Sequence, residues 1–186
     1  MKSDFIFASG PVRALALAGL ALAAPLRGEV LLSEKEALAR AFPGASVERR
    51  TLYLKPEQVA AVEKAARSRL PSPVVTVFEA RREGQPAGRA VLDTHVVRTM
   101  PETVLVAVEP DGRLRAALVL QFGEPPDYLP RERWLETLAG RPLDDELWPG
   151  RGVRRVTGAT LTVQALTSAV RRGLAVEALL LRGDTR

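Results

Sequence analysis

The chain has 186 residues, one histidine, no cysteine, a net charge of +5 and a pI near 10.2. Its hydrophobic content of 46% and charged content of 26% exclude a disordered chain. The missing cysteines exclude disulfides, cysteine-ligated iron–sulfur clusters and c-type haem attachment, and no aromatic-studded basic cluster or zinc motif points to a nucleic-acid partner.

The N-terminus reads as a targeting segment. Lys2 and Arg13 supply positive charge, Ala14 to Ala24 is an unbroken run of Ala, Leu and Gly, and Ala21-Leu22-Ala23 offers a small-x-small cleavage pattern. The run is shorter than the roughly 20 apolar residues a membrane span needs. Residues 1–24 are therefore expected to be a signal peptide or N-terminal anchor, placing the protein in the periplasm or on the outer face of the cytoplasmic membrane. About 160 residues then remain, enough for one domain with its own core.

Ser33-Glu34-Lys35-Glu36 is a capping box that opens a helix with Leu38, Ala41 and Phe42 on one side, stopped by Pro43-Gly44. A second helix starts at Pro56 and carries Val59, Val62, Ala66 and Leu70 at helical spacing until Pro71 and Pro73. Residues 25–72 are thus expected to be helical and to precede any sheet. Val74 to Arg81 is rich in β-branched and aromatic residues, and Glu83 to Gly88 turns the chain into a second strand from Arg89 to Val97. Two further strands, Thr103 to Glu109 and Arg113 to Phe122, flank a Pro110-Asp111-Gly112 turn. The fold class is α+β, a central antiparallel meander with flanking helices in a single domain.

After the meander comes Gly123-Glu124-Pro125-Pro126, then a helix with Trp134, Leu135 and Leu138 inward and Gly140 at its end. Residues 142–152 form a mixed-charge loop, with Asp144-Asp145-Glu146 a solvated run and Trp148 either core filling or a stacking platform. His95 alternates with Asp93 on one strand face, the placement of a metal or proton-handling site. One histidine and one aspartate are too few to hold a metal, so no metal site is expected and a hydrogen-bonded structural role is the default.

The strongest functional signal is Val156-Thr157-Gly158-Ala159-Thr160-Leu161-Thr162. Small residues admit another molecule close to the backbone, hydroxyls can bond or esterify a phosphate, and a helix start offers unpaired N–H groups to an anion. Val163, Leu166, Val170, Leu174 and Ala178 follow at steps of three or four and mark one buried helix face. A plain helix start remains the alternative, with Thr160 or Thr162 as N-cap and Gly158 serving the turn.

Thr157 to Thr160 resembles the flavinylation motif of the FMN-binding domain family, found in the sodium-pumping NADH:quinone oxidoreductase and Rnf complexes. That motif reads Asp, two variable residues, Ser or Thr, Gly, Ala, then Thr or Ser. The resemblance implies a covalent FMN phosphoester on Thr160, installed by a dedicated flavin transferase. It also implies cofactor contacts from Thr157, Gly158, Ala159 and Thr162, and an FMN-binding domain over residues 73–186. Glu124 with its following prolines resembles the Glu-Thr-Pro-Gly segment that lies near the flavin in that family. Arg154 stands where the family has its leading Asp, and Arg154 and Arg155 offer positive charge to a phosphate. The expectation is an exported electron carrier with membrane or envelope redox partners rather than a self-sufficient enzyme. A non-flavinylated envelope binding or assembly domain of the same fold, and a non-covalent anion-binding module, are the alternatives.

Overall fold

The computed structural model describes residues 29–182; the targeting segment expected over residues 1–24 lies outside them. A six-stranded antiparallel sheet has the order β1-β6-β5-β4-β3-β2, where β1 is Glu29–Val30, β2 Ser46–Tyr53, β3 Val74–Arg82, β4 Gln85–Val96, β5 Pro101–Val108 and β6 Leu114–Phe122. From β2 to β6 each strand pairs with the next, as expected of a meander, and β1 adds to the free edge of β6 through Glu29 opposite Phe122.

The expectation that residues 25–72 precede any sheet is corrected by β1 and β2. Both are edge strands, and β2 reads Ser-Val-Glu-Arg-Arg-Thr-Leu-Tyr with every residue exposed or half-buried. An edge strand takes charged side chains because they discourage further pairing, so its apolar alternation is weak. The helices stand where expected. Ser33 caps α1 (Glu34–Ala41), its Oγ accepting from Glu36 N–H at 3.2 Å while Glu36 accepts from Ser33 N–H at 3.0 Å. Helix α2 (Pro56–Ala66) ends earlier than its prolines indicated, because Arg67 takes a left-handed φ of 52°.

The β3–β4 connection is shorter than the Gly- and Pro-rich sequence indicated. Glu83 and Gly84 both have positive φ, and Arg82 pairs with Gln85, the pattern of a two-residue hairpin turn. A bulge between Ala80 and Arg81 takes up Pro86 to Gly88 inside the strand, the position at which sheets tolerate such residues.

Alternation along β5 divides the core. Val104, Val106 and Val108 point to one face, where they meet α3 (Glu132–Glu136), α4 (Thr160–Val176) and Leu147 and Val153 of the intervening loop. Leu105 and Ala107 point to the other, beneath Phe42 and α1. Helix α2 joins the first face beside β3 and β4. At Gly173 the last helix passes so close to β5 that an added Cβ would lie 2.6 Å from Val106 Cγ1. Val163, Leu166, Val170 and Leu174 are buried as their spacing requires, but Ala178 is exposed. There the helix widens into a π-turn, Glu177–Leu181, which shifts the phase and buries Leu181 instead.

Among the described residues no helix is long and apolar enough to cross a membrane.

Candidate functional site

The hydroxyl-rich turn stands at the start of α4. Ala159 N–H donates to Val156 C=O at 3.2 Å and Gly158 has φ +84°, so glycine occupies the position of a type II turn that disfavours a side chain. Val156 packs against the core and Ala159 is buried, pinning the turn on both sides, while Thr157, Gly158 and Thr160 are exposed. Thr160 is the first residue of the helix and Thr162 is buried one position past Leu161.

Neither threonine is the N-cap. Ala159 holds that position and no side chain caps the helix. The first backbone bond runs from Val163 N–H to Ala159 C=O at 2.9 Å, which leaves the amides of Thr160, Leu161 and Thr162 without a partner in the helix. A plain helix start of this composition would turn a hydroxyl onto those amides. Here they remain available beside an exposed threonine hydroxyl.

A cavity of about 300 Å³ opens over this helix start, lined by Gly158, Ala159, Thr160, Leu161 and Thr162 and closed by Arg98 and Tyr128. The Arg98 guanidinium lies 5.2 Å from the centre of the Tyr128 ring. Stacked in this way it is a cation lining the cavity at the uncapped helix start. On the other side of the turn a wider concavity of about 700 Å³ is lined by Thr157, Arg154, Arg131, Arg133 and Trp134. Trp134 Nε1 donates to Arg154 C=O at 2.8 Å, which fixes the backbone entering the turn. Arg155 turns away and lies against Gly150.

Glu124 does not line the cavity at Thr160. Its Oε1 accepts from the backbone N–H groups of Thr99 at 2.8 Å, Met100 at 3.1 Å and Arg98 at 3.3 Å. The Thr99 bond, with those of Met100 and Arg98, holds the carboxyl below its usual range against a smaller opposing effect of desolvation. Glu124 thus organises the β4–β5 turn, which presents Arg98. Gly123 makes this possible, because a Cβ there would meet Met100 Cβ at 2.7 Å.

Trp148 is half-buried with the Arg171 guanidinium 4.8 Å from its ring centre, so one ring face already has a partner. Asp144 is more than a solvated charge: its Oδ1 accepts from Glu146 and Leu147 N–H at 3.0 Å and shapes the loop. No group of His, Cys, Asp or Glu able to hold a metal occurs among the described residues.

With this geometry the chain can be set beside known structures. The fold is similar to that of Shewanella oneidensis NqrC. The two superpose with a TM-score of 0.50 over 76% of this chain and 82% of that one, at 19% sequence identity. No family model matches the sequence, and no curated protein does. At that identity the likeness to NqrC is a likeness of fold.

Sequence reasoning missed Arg98 and Tyr128, which lie in loops remote from the motif. It also passed over Arg171 and Arg172, although two arginines within an apolar helix pattern were a visible signal. Both are buried. A phosphate suits the chemistry present at the turn: free amides, a stacked guanidinium and small residues in the approach. The residues that would hold the phosphate end of FMN are Thr160, the amides of Leu161 and Thr162, and Arg98.

Proposed function

We propose that this chain is an exported electron-transfer protein that carries FMN through a phosphoester to Thr160. The observation that carries this reading is the exposed Thr160 at an uncapped helix start, in a cavity that Arg98 also lines. The motif resemblance supports it, and the NqrC-like fold points in the same direction.

Bound FMN would supply one- and two-electron chemistry; the chain's own residues supply position and charge. A threonine hydroxyl is a poor nucleophile at its own pKa, so its esterification falls to a flavin transferase and its metal ion. Thr160 needs only to be reachable, and Gly158 clears its approach. The positive end of α4 stabilises the remaining phosphodiester charge by about 0.3–1 kcal/mol. Arg98, held by Tyr128 and by the turn that Glu124 organises, adds a second positive group. Residues 1–24 would direct the domain to the periplasm or tether it to the outer face of the membrane, within reach of envelope redox partners.

One observation favours the reading of a domain that is never flavinylated: Arg154 replaces the acid of the family motif and lines the concavity beside Thr157. Co-expression with a flavin transferase separates the two. A yellow protein is expected, with a fluorescent band after denaturing electrophoresis and one FMN located on Thr160 by mass spectrometry. Unmodified mass under those conditions overturns the FMN reading.

A further inference from the structure

Four ionisable side chains meet beneath α4, and the flavin reading uses none of them. Arg172 Nε and Nη2 donate to Asp93 Oδ2 and Oδ1 at 2.7 Å each, and its Nη1 donates to Ser68 Oγ at 2.8 Å. Asp93 Oδ1 lies 2.8 Å from His95 Nδ1, and His95 Nε2 lies 3.0 Å from Glu102 Oε2. The His95 and Glu102 side chains are 8% and 0% exposed. Glu102 Oε1 is buried with no hydrogen-bond partner.

The Arg172–Asp93 pair balances its own charge and needs no extension. His95 and Glu102 extend it by an imidazole and a carboxyl that share one proton. Cationic imidazole with carboxylate, or neutral imidazole with carboxylic acid, leaves the cluster neutral. Removing that proton leaves a buried negative charge; adding a second leaves a buried positive one. Burial opposes the charged imidazole, but the bonds to Asp93 and Glu102 outweigh it and raise the proton affinity of His95. Burial also raises that of Glu102, against the opposing effect of His95. Both shifts favour keeping the shared proton.

His95 also lines a groove of about 450 Å³ that runs along α4 past Leu161, Gln164 and Ser168, with Arg69 and Trp148 at its sides. Leu161 belongs both to this groove and to the cavity at Thr160. Gln164 lies one helical turn beyond Thr160 on the same face. The groove gives His95 an opening toward water, and Leu161 is the side chain between it and the cavity at Thr160. Both ring nitrogens of His95 are engaged inside the cluster, so the influence of a group at Thr160 is electrostatic. The charged groups facing the imidazole are Asp93 on its own strand, Glu102 on β5, Arg172 on α4 and Arg69 across the groove.

We propose that His95 and Glu102 form a proton-binding site coupled to the redox group carried at Thr160, binding their shared proton more tightly, and taking it up again where it has been lost, when that group gains electrons. This rests on the FMN reading. Electrons arrive on the flavin from an external donor, and the proton comes from water through the groove. It makes one new N–H or O–H bond in the pair. Reoxidation sends the electrons to an acceptor and the proton back to water.

The single histidine of the chain makes the test direct, because its imidazole resonances need no assignment. NMR titration of the flavin-loaded protein, oxidised and then reduced with dithionite, should show the His95 transition moving up by about one pH unit on reduction. That is the size expected for a unit charge on the order of 10 Å away at an effective dielectric of about 20. In Glu102→Gln the transition should fall in both states. Equal transitions in the two redox states of a protein whose mass shows FMN on Thr160 overturn the coupling and leave the FMN reading intact. A protein that never acquires flavin overturns the FMN reading and the coupling together. An ordinary His95 transition in the flavin-free protein, unmoved by Glu102→Gln, overturns the proton site itself. The redox comparison uses the unmutated chain, so it stands even if Glu102→Gln fails to fold.

Discussion

Arg172 on the last helix and Asp93 on the fourth strand meet through two parallel hydrogen bonds of 2.7 Å, their side chains 6% and 5% exposed. The pair joins α4 to the sheet with both partners almost fully buried. Arg172→Ala strands a buried carboxylate and is expected to lower stability by about 3–5 kcal/mol, whereas a double replacement, Asp93→Val with Arg172→Met, recovers much of that loss. Urea unfolding of the single and double variants measures both.

Asp93 sets the acid limit. Burial pushes its carboxyl up, but Arg172 and His95 together outweigh that and lower it from 3.8 to about 2. A carboxyl depressed in the folded state stabilises above its unfolded pKa and loses that contribution as pH falls through the folded one. About 2 kcal/mol should therefore disappear between pH 3.8 and about 2. Acid titration followed by circular dichroism should show the loss, and Asp93→Asn should flatten it.

His95 and Glu102 act in the opposite direction. Both have raised folded-state pKa values, so their contribution is full at low pH and is lost as pH rises through those values. Thermal stability should decline once pH passes the ordinary histidine value of 6.5, and His95→Gln should remove the decline. A melting temperature independent of pH from 6 to about 9 would contradict the shared proton.

Gly173 sets the distance between α4 and the sheet. Alanine there gains helix propensity of about 1 kcal/mol, yet its Cβ would press on Val106 at 2.6 Å. The crowding is expected to win, with a net loss of about 1–3 kcal/mol. A stabilised Gly173→Ala in chemical denaturation would show that β5 yields instead.

Glu124 gives a local readout. Glu124→Ala removes the acceptor for three consecutive amides, so amide exchange at Thr99 and Met100 should accelerate while strands β5 and β6 keep their protection. In the parent chain the same amides should lose protection as pH falls through the depressed Glu124 pKa.

The meander, the capping box and the apolar face of α4 were legible because each rests on a local pattern: β-branched runs flanking the Pro110-Asp111-Gly112 turn, Ser33 with Glu36, and Val163 to Leu174 at helical spacing. Strand β2 was not, because an edge strand bearing Glu48, Arg49 and Arg50 has surrendered its alternation to solubility. The hydroxyl turn was legible as an exposed turn opening a helix, but Arg98 and Tyr128 reach its cavity only through the packing of remote segments. Glu124 was singled out as a carboxylate that accepts from a cofactor ring or from backbone amides, and its carboxylate accepts from the backbone of the turn that bears Arg98. His95 was placed on the same strand face as Asp93 and read as a hydrogen-bonded structural histidine. Its other neighbour, Glu102, comes from β5 through a register that no single-strand pattern encodes.

Strand β1 carries a consequence for orientation. Glu29 lies opposite Phe122, two residues before Glu124, and Glu102 lies opposite Phe122 from the other side. The polypeptide therefore enters the sheet at the end that holds the β4–β5 turn and Arg98. If residues 1–24 act as the proposed leash, the domain hangs from the bilayer by the end nearest its cofactor seat, with the β3–β4 hairpin outermost. Electron exchange would then take place in the narrow layer next to the lipid.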